Sequence, residues 1–535
     1  MSNNNKNSLY NPLTGIYTSP RPPITLPPPH TTIFTHLFRN LTSHPNSPAL
    51  INPHTNHTIT HTQLKKLITT FAHTLVHTYN VTKNDVVLIF SPNSVLFPIA
   101  FLAVTAIGGI VTTANPLYGV HELAHQVKDS RPKVIISVGE LKGKVNGFGI
   151  PIVDLNSVLL ELELNESEEA VELGENVGMD DVAAILYSSG TTGLSKGVVL
   201  THRSIIATAL MVTSDQEVYN EGKCVFLLVV PLFHIMGLVT FTYSQLSIGN
   251  AMVVMSRFDL KEALQAMEKF RVTHLYTAPP VVVALVKNKE VVRRFDVSAL
   301  REIGSGAAPL GKDAMDECSL LFPQAYILQG YGMTETGGII SIEDPRVGSR
   351  HSGTSGTLCA GMESQIIHIE TLKPLPPNQL GEIWVRGPNL MKEYFHNKEA
   401  TEQTIDKEGW LHTGDIGYFD EEGRIYVVDR LKELIKYKAY QVAPAELEGL
   451  LVTHPEIMDA AVIPYPDEEA GEIPMAYVVR KPGSSLSAEE VQTFIAKQVA
   501  PFKRIRKVAF IDIIPKAATG KILRRELRQK VKSKL

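Results

Sequence analysis

Short apolar runs alternate with amphipathic segments from about residue 31 to residue 430, and this alternation constrains the fold of the 535-residue chain more than any other feature. Runs of this length that are rich in Val, Ile, Leu and aromatic residues are typical of buried strands. Strands that alternate with helices predict an α/β fold whose sheets carry helices on both faces. The clearest predicted strands are Val86–Phe90, Val134–Val138, Val182–Tyr187, Val225–Val230, Ala251–Met255 and His274–Thr277.

The segment from Val86 to His121 contains no Asp, Glu, Lys or Arg and is long enough to cross a bilayer. It is interrupted by Ser91-Pro92-Asn93-Ser94 and by Gly108-Gly109, and buried elements of α/β proteins also form continuous apolar runs. We therefore expect no transmembrane segment here. The predicted elements are a strand at Val86–Phe90, a helix at about Val95–Ala106 and a strand at Ile110–Thr113.

The chain divides into two predicted domains of unequal size. Residues 1–30 are rich in Pro, Asn and Ser and predict an extended arm. Residues 31–429 form a large domain of βαβ-type sheets, to which antiparallel strands near Gly381–Arg386 and Gly423–Val428 add a distorted barrel. A junction at 430–432 leads to residues 433–535, a small α+β domain. Its predicted elements are the helices Pro444–Val452, Ala488–Val499 and Gly520–Lys532 and the strands Ala460–Pro464 and Met475–Val479.

Charge and cysteine content exclude several classes of protein. With 51 Lys and Arg against 55 Asp and Glu, the chain lacks the basic surplus that nucleic-acid binding requires. Cys224, Cys318 and Cys359 share no short spacing, so we predict neither a disulfide framework nor a zinc frame.

The polar N-terminus shows no secretory signal. The tripeptide Ser533-Lys534-Leu535 has the form of a peroxisomal address, which predicts peroxisomal localisation and an import receptor as partner.

The strongest chemical motif is a loop of small and hydroxyl-bearing residues between two apolar strands, Val182–Tyr187 and Val198–Leu200. Small residues let the backbone wrap around phosphates, hydroxyl and N–H groups bond to the oxygens, and lysine supplies charge. A Walker A loop is excluded because Ser195, and not Gly, directly precedes the lysine. The residues predicted to bind a nucleotide here are Ser188, Ser189, Gly190, Thr191, Thr192, Gly193 and Lys196.

This loop resembles the phosphate-binding signature of the adenylate-forming superfamily, which contains acyl-CoA synthetases, luciferases and the adenylation domains of peptide synthetases. Further segments resemble motifs of the same superfamily and follow in the same order: Gln329–Thr336, Gly381–Gly387, Trp410–Asp415, Asp429–Lys436 and Pro515–Leu523. The resemblance is strongest to the plant peroxisomal 4-coumarate–CoA ligase-like acyl-CoA synthetases. It implies that a carboxylic acid and ATP give acyl-AMP and pyrophosphate, and that acyl-AMP and CoA then give acyl-CoA and AMP.

The resemblance also implies roles for individual residues in the first step. Asp415 would bind the ribose hydroxyls, Arg430 would bind ribose or phosphate oxygens, and Glu335 would hold Mg²⁺ through the ATP phosphates. Lys521 would neutralise negative charge as the acyl-adenylate forms. The other residues implied for the nucleotide are Gln329, Gly330, Tyr331 and Thr334.

For the second step, the resemblance implies that the small domain is mobile and rotates about a hinge at Lys432. Rotation would withdraw Lys521 and bring other residues to the thioester-forming face. The residues implied for this step are Lys436 and Gln441 in catalysis and Arg257, Lys438 and Ala439 in CoA binding.

The implied acyl pocket contains small and apolar residues and differs from the pocket of 4-coumarate specialists. It offers few partners for a phenolic hydroxyl, and an unmatched buried polar group is costly. We therefore expect an apolar acid: a medium-chain fatty acid, a jasmonate-precursor cyclopentanone acid or unsubstituted cinnamate. The pocket residues are Met236, Gly304, Ala307, Gly332, Ile339 and His234, and His234 would also contribute to catalysis at the pantetheine tunnel.

Two positions depart from the family pattern. Ser195 stands where the family usually has Pro, which loosens the loop but keeps the charge of Lys196. Ala439 stands where the family usually has Gly, and a positive φ there would strain the backbone by about 1–2 kcal/mol. We therefore expect activity to survive the change at Ser195, whereas Ala439 makes the thioester-forming step the one most affected.

Several alternatives fit parts of the sequence. A luciferase-like oxygenase would share the adenylation chemistry, and 4-coumarate–CoA ligase proper would share the whole reaction. An amino-acid adenylation module is disfavoured because no carrier domain follows residue 535. A nucleotide-binding protein without turnover is disfavoured by the intact set of Lys196, Glu335, Asp415 and Lys521.

One motif points to a different chemistry. His121-Glu122-Leu123-Ala124-His125 matches the H-E-x-x-H pattern of zinc proteases, with both histidines on one helix face. The extension that would supply a third ligand is missing, and histidine is common in the first part of the chain. We expect a chance match, and we expect the protein to be a monomer.

Overall fold

The structure is a computed structural model that describes residues 9–39, 43, 45–157, 173, 176–188, 195–219, 221–344, 353–438, 440–467, 469–517 and 520–532, with the backbone only at 440, 441 and 532. Within these residues the fold consists of four β-sheets and the helices that pack on them. The α/β class predicted from the alternating runs is confirmed.

The first sheet has seven strands and a parallel centre. Val86–Phe90 pairs in parallel with Ile110–Thr113 on one side and with Val134–Ser137 on the other. Parallel neighbours need a crossover, and the helices between these strands supply it. In spatial order the strands are Glu393–Tyr394, Lys196–Thr201, Val182–Ser188, Ile110–Thr113, Val86–Phe90, Val134–Ser137 and Ile152–Asp154.

The second sheet has nine strands, and its central strands are parallel. His274–Thr277 lies between Val225–Leu228 and Glu302–Ser305, and all three run in the same direction. Their carboxyl ends therefore meet at one edge, which is where open α/β sheets bind ligands. In spatial order the strands are Thr357–Leu358, Ser341–Ile342, Tyr326–Tyr331, Glu302–Ser305, His274–Thr277, Val225–Leu228, Ala251–Val254, Pro48–Ile51 and Thr58–Thr60.

The third sheet has six antiparallel strands, and it contains the two strands from which the sequence predicted a distorted antiparallel barrel. Its register shifts twice, between Glu382 and Trp384 and between Ile416 and Gly417. The predicted arm joins this sheet, because Tyr17 is buried and stacks on Phe419 with 4.1 Å between ring centroids. In spatial order the strands are Tyr10–Asn11, Ile16–Thr18, Glu363–Ile367, Gly381–Arg386, Leu411–Phe419 and Ile425–Arg430.

The fourth sheet belongs to the C-terminal part of the chain. Its long central hairpin pairs Ile457–Asp467 with Gly471–Arg480, and both strands extend beyond their predicted ends. Gly471–Arg480 also pairs in parallel with Lys507–Phe510. Ile435–Tyr437 and Tyr440–Val442 form a second hairpin at the other edge.

Several helices begin at a side chain that caps their free N–H groups. Thr60, Thr201 and Ser487 each accept a hydrogen bond from the backbone N–H three residues later. No helix in the described part of the chain is long and apolar enough to span a bilayer. The α-helices are Ile33–Leu37, His61–His77, Leu96–Ala106, Val120–Ser130, Lys142–Val145, His202–Val218, Ser244–Ser247, Leu260–Lys269, Pro279–Lys287, Lys289–Val292, Lys312–Leu321, Lys398–Thr404, Pro444–Val452, Ala488–Ala496 and Arg524–Lys532.

The last helix begins later than the sequence predicts. The expectation placed its start at Gly520, but the helix begins at Arg524. Gly520 has φ +81°, and Lys516 pairs with Ile522 in an isolated antiparallel bridge. A tight loop therefore occupies the predicted first turn, and this loop carries Lys521.

Arg21 fixes the N-terminal segment to the large domain. Its Nη2 lies 2.9 Å from Asp215 Oδ2, in the helix His202–Val218, and its Nη1 lies 2.8 Å from Thr357 Oγ1. Only 9% of Arg21 is exposed, so water does little to screen the pair. The segment is thereby joined to a helix and to the edge of the second sheet.

We expect Arg21→Ala to lower the free energy of unfolding by about 2–4 kcal/mol, because it leaves the partly buried Asp215 without its cation. Denaturant unfolding followed by circular dichroism measures the loss. Arg203→Ala is the matched control, because Arg203 pairs with an exposed Asp180 and should cost less than about 1 kcal/mol. Equal losses in the two variants would contradict the role given to Arg21.

Candidate active site

A cavity of about 200 Å³ opens at the carboxyl ends of the parallel strands of the second sheet. The ends of His274–Thr277, Glu302–Ser305 and Tyr326–Tyr331 form one wall. Arg430 and Lys521 reach it from the third sheet and from the C-terminal part of the chain. The lining residues that the sequence predicted are Ser188, His234, Met236, Gly304, Ala307, Gly330, Tyr331, Gly332, Thr334, Glu335, Ile339, Arg430 and Lys521.

One end of the cavity is a largely apolar pocket built around Tyr276. The Tyr276 hydroxyl donates a hydrogen bond to Glu302 Oε2 at 2.7 Å, and its ring meets Phe241 edge-on. A Cβ atom at Gly304 would lie 2.7 Å from the Tyr276 ring, so a residue with a side chain would displace it. The ring is thus held by a hydrogen bond on one side and by the close backbone on the other.

Two predicted pocket residues lie at the start of an irregular helix. Met236 is the first residue of the π-helix Met236–Tyr243, and His234 lies two residues before it. π-Helices are rare in proteins, and those that occur are often found at functional sites. Burial lowers the pKa of His234 to about 4. The imidazole is therefore neutral near pH 7 and adds a polar edge, but no charge, to the pocket wall.

Three residues of the nucleotide motifs form a buried hydrogen-bonded group. The Tyr331 hydroxyl donates to Asp415 Oδ2 at 2.7 Å, and Arg430 Nε lies 3.1 Å from Asp415 Oδ1. Asp415 and Arg430 are opposite each other on paired strands, which fixes the ion pair. Burial raises the pKa of Asp415, whereas Arg430 and Tyr331 act in the opposite direction. Asp415 is 4% exposed and stands behind Tyr331 and Arg430, which face the cavity.

Lys521 is held at the cavity wall by the tight loop that precedes the last helix. Gly520 N donates to Ala517 O and Ala517 N donates to Lys521 O, both at 2.8 Å. A Cβ atom at Gly520 would lie 2.8 Å from Pro280 Cγ, so this loop packs directly on the helix Pro279–Lys287. Burial lowers the pKa of Lys521 to about 8, and Arg430 adds to the effect.

Glu335 lies in the 3₁₀ turn Thr334–Thr336 and lines the cavity. Its Oε1 accepts a hydrogen bond from the Tyr394 hydroxyl at 2.8 Å, and the Lys196 ammonium sits 4.6 Å from the centre of the Tyr394 ring. Burial, together with Glu335, raises the pKa of Tyr394, which keeps its hydroxyl protonated as a donor. Tyr394 therefore contacts a cation over its ring and a carboxylate at its hydroxyl.

The cations of the site lie close enough to repel one another. Burial lowers the pKa of Lys432, the predicted hinge residue, and Lys196 and Arg430 lower it further. Arg430 acts on Lys521 in the same way. Repulsion among these groups is relieved by a polyanion, so the arrangement suits a nucleotide triphosphate.

The residues implied for CoA lie away from the cavity. Lys436 is exposed, and Lys438 is exposed and pairs with Glu469 at 2.8 Å. Lys438 has φ +52°, a left-handed backbone conformation that is costly for a residue other than glycine. Arg257 is exposed beyond the strand Ala251–Val254.

Gln329 faces away from the cavity. Its side chain accepts a hydrogen bond from Leu310 N at 2.7 Å and donates one to Thr354 O at 3.1 Å, so it links two loops. The predicted nucleotide residues Ser189, Gly190, Thr191, Thr192 and Gly193, the residue Ala439, the side chain of Gln441 and the tripeptide 533–535 lie outside the described residues.

The structure adds site residues that sequence reasoning did not find. Tyr394 reaches the site because its strand pairs with the strand that begins at Lys196, and nothing local in the sequence indicates that pairing. Tyr276 lies in the predicted strand His274–Thr277, but an apolar run does not indicate which of its side chains face the cavity. The other added lining residues are Tyr187, Thr240, Phe241 and Ser305.

Comparison with known proteins gives matches over nearly the whole chain. Residues 37–395 match the family model of the AMP-binding enzyme, and residues 446–521 match that of the AMP-binding enzyme C-terminal domain. The chain is 47% identical to a probable CoA ligase, CCL5, of Humulus lupulus, over 97% of this chain and 96% of that protein. It is 44% identical to peroxisomal OPC-8:0-CoA ligase 1 of Arabidopsis thaliana, over 95% of each.

The same similarity is seen in three dimensions. The structure of o-succinylbenzoate CoA synthetase (MenE) from Bacillus subtilis, in complex with the acyl-adenylate intermediate OSB-AMP, matches with a TM-score of 0.82 and 28% identity. The match covers 93% of this chain and 98% of that chain. The superfamily resemblance predicted from the ordered motifs is confirmed. The chain therefore belongs to the AMP-binding enzyme family, and within it to the acid–thiol ligases.

Proposed function

We propose that the protein activates an acid with a largely apolar chain as its acyl-adenylate and then transfers the acyl group to CoA, with adenylation occurring at the junction between the Tyr276 pocket and Lys521. The observation that carries the proposal is the burial of the Lys521 ammonium, next to Arg430, where the apolar pocket meets the nucleotide motifs. A buried cation beside an apolar pocket is the arrangement that can hold a carboxylate against a phosphate.

In the first step a carboxylate oxygen attacks the α-phosphorus of ATP, and pyrophosphate leaves with the electron pair of the broken bond. Lys521 is placed to neutralise the two negative groups that this attack brings together. Arg430, fixed by Asp415, offers a guanidinium fork to phosphate or ribose oxygens. Tyr331 presents its ring to the cavity while its hydroxyl is held by Asp415, which suits stacking against adenine.

The Glu335 carboxylate fits Mg²⁺, because hard cations take oxygen ligands and usually also bind substrate phosphates. Glu335 lines the cavity and is oriented by the Tyr394 hydroxyl. Bound with ATP, the ion would supply further neutralisation of phosphate charge. Thr334 lies next to Glu335 and is available to a phosphate oxygen.

In the second step the CoA thiol attacks the acyl carbonyl, the thiol proton is released, and AMP leaves. The cavity is occupied by Lys521 in this structure, while Lys436 and Lys438 are exposed. We therefore propose that the C-terminal part, residues 433–535, rotates about Lys432 between the steps, so that Lys521 withdraws and Lys436, Lys438, Ala439 and Gln441 approach. Arg257 would bind a CoA phosphate at the surface.

The pocket supports an apolar acid that carries one hydrogen-bond acceptor. The Tyr276 hydroxyl is engaged by Glu302, and the Tyr187 hydroxyl donates to Asp129. Thr240 Oγ1 and Ser305 Oγ are buried and find no hydrogen-bond partner among the described residues. Unmatched hydroxyls in an otherwise apolar pocket favour a ligand carbonyl. Among the acids that the sequence suggested, a cyclopentanone acid best meets this pattern, and the name OPC-8:0-CoA ligase of one relative agrees with a specialised acid.

We propose that the enzyme is peroxisomal and acts as a monomer. Ser533-Lys534-Leu535 would serve as the import signal at a free C-terminus, and one relative is named as peroxisomal. Residues of a single chain line the cavity, so a second copy is not needed to complete it.

We expect Lys521→Ala to slow ATP–pyrophosphate exchange by about 100-fold to 1,000-fold, because a buried charge aimed at the transition state is lost. The exchange assay isolates the adenylation step. Lys436→Ala is the control: this lysine is exposed and outside the cavity, so its exchange rate should change by no more than about twofold. Normal exchange in Lys521→Ala would refute the role assigned to Lys521.

Adenylation should also decline in alkaline solution. The folded-state pKa of Lys521 is lowered to about 8, so its ammonium is charged below that pH and loses its proton above it. We expect kcat/KM for ATP, measured by exchange without CoA, to fall as pH rises through about 8. In Lys521→Arg the guanidinium stays charged, so the overall rate drops but this alkaline decline disappears. An unchanged pH profile in that variant would assign the decline to another group.

Loss of the unpaired hydroxyls should reduce discrimination for a ketone-bearing acid. We expect Thr240→Val and Ser305→Ala to lower kcat/KM for a cyclopentanone alkanoic acid by about threefold to tenfold each, the value of one hydrogen bond. A fatty acid of the same chain length, without the ketone, serves as the control and should be little affected. Equal changes for the two acids would show that the hydroxyls do not recognise a carbonyl.

A further inference from the structure

A second group of reactive side chains lies at the opposite end of the strands that carry the acyl pocket. Cys224 directly precedes Val225–Leu228, and His274 and Glu302 are the first residues of the two neighbouring strands. Parallel pairing places His274 opposite Phe226 and opposite Glu302. Glu221, three residues before Cys224, completes the group.

Three ligand atoms of this group are close enough to share one ion: those of Glu221, Cys224 and His274 all lie within 4.8 Å of one another. His274 Nε2 lies 3.6 Å from Glu221 Oε2 and 3.5 Å from Glu302 Oε2, and Cys224 Sγ lies 3.8 Å from Glu221 Oε2. Ligands held 2.0–2.3 Å from a tetrahedral ion are separated by about 3.3–3.8 Å. Across the part of the chain that the structure describes, the atoms of Glu221, Cys224 and His274 form the only group of three with spacing that could hold a metal ion.

The imidazole of His274 supplies an independent indication. Its Nδ1 is 2.8 Å from Thr273 Oγ1, whereas its Nε2 is completely buried and makes no hydrogen bond to a described residue. This nitrogen instead faces two carboxylates and a thiol. Because the Thr273 hydroxyl donates to Val225 O at 3.1 Å, its oxygen is free to accept from Nδ1–H. In that tautomer Nε2 presents its lone pair, which is the usual form of a metal ligand.

The backbone around the group is also fixed. Cys224 N donates to Asn250 Oδ1 at 2.9 Å, and Asn250 Nδ2 donates to Gln245 Oε1 at 2.8 Å. The ring of Phe226 stacks on His274 with 4.4 Å between centroids. Such supports hold ligand side chains in place before an ion binds, which lowers the cost of binding.

We propose that Glu221, Cys224 and His274 bind zinc at a site that is separate from the catalytic cavity, and that the Glu302 carboxylate, 3.5 Å from His274 Nε2, turns in as the fourth ligand. A thiolate, an imidazole and carboxylates together match zinc, whereas magnesium and calcium take oxygen ligands alone. Binding releases the Cys224 proton to solvent and requires no oxidant or reductant. Because Glu302 Oε2 also accepts the Tyr276 hydrogen bond, the ion would fix the floor of the acyl pocket.

The site is tested on the full-length protein, purified under reducing conditions, loaded with zinc and passed through a desalting column. Elemental analysis should give about one equivalent of zinc per chain. Replacement by Co²⁺ should produce the near-ultraviolet sulfur-to-cobalt band of a thiolate ligand. We expect Cys224→Ser to abolish that band and His274→Gln to lower zinc content at least tenfold.

Cys318→Ser is the matched control, because Cys318 is equally buried in the helix Lys312–Leu321 and lies outside the group. It should keep both the zinc and the cobalt band. Wild-type protein that retains no zinc after loading would overturn the proposal whatever the variants do. A cobalt band that persists in folded Cys224→Ser would overturn it equally, since the thiolate would then come from another residue.

Discussion

The burial of one positive charge, that of Lys521, is the constraint around which the site is arranged. A pKa lowered from 10.5 to about 8 corresponds to a cost on the order of 3 kcal/mol for keeping this ammonium charged inside the protein. Arg430 increases that cost, and Glu433 and Asp415 reduce it. The contact of Gly520 with Pro280 holds the lysine in this unfavourable position. Most of the cost is desolvation of the ammonium and repulsion from Arg430 adds to it, and a bound polyanion can offset both.

This repulsion gives a physical reason for the two successive arrangements that we propose. In that mechanism ATP would neutralise the cationic residues Lys196, Arg430, Lys432 and Lys521 and so favour the closed position of the C-terminal part. Departure of pyrophosphate would remove most of the negative charge while the cations remain. The same repulsion would then favour withdrawal of Lys521 and free the entrance for a thiol, so the loss of charge would bias the proposed hinge in the order that the reaction requires.

The sequence predicted the parts of this protein whose information is local. Strands such as Val86–Phe90 and His274–Thr277 were predicted because an apolar run signals burial directly. Candidate nucleotide residues that line the cavity, such as Tyr331 and Glu335, were identified because their motifs are contiguous. Tyr394 was missed because only strand pairing brings it to Lys196 and Glu335. Helix periodicity placed the start of the last helix at Gly520 because it cannot detect a loop closed by backbone hydrogen bonds. The cluster of Cys224, His274 and Glu302 is equally invisible, since its members lie at the starts of three separate strands, Cys224 just before one and His274 and Glu302 as the first residues of the others.

The nucleotide side and the acyl side of the cavity are built from different kinds of structure. The residues proposed for the phosphate chemistry are therefore separate from those that select the acid. The groups that we propose for ATP lie in a 3₁₀ turn (Glu335), at the end of a strand (Arg430) and in the loop before the last helix (Lys521). The acyl pocket lies on the rigid strands of the second sheet, where Tyr276 is fixed by Glu302 and by the bare backbone of Gly304. A change at the pocket floor alters which acid fits without disturbing phosphate transfer. A ligand that reorients Glu302, at the far end of the same strands, would act on the acyl pocket through the Tyr276 hydroxyl, which donates to this carboxylate.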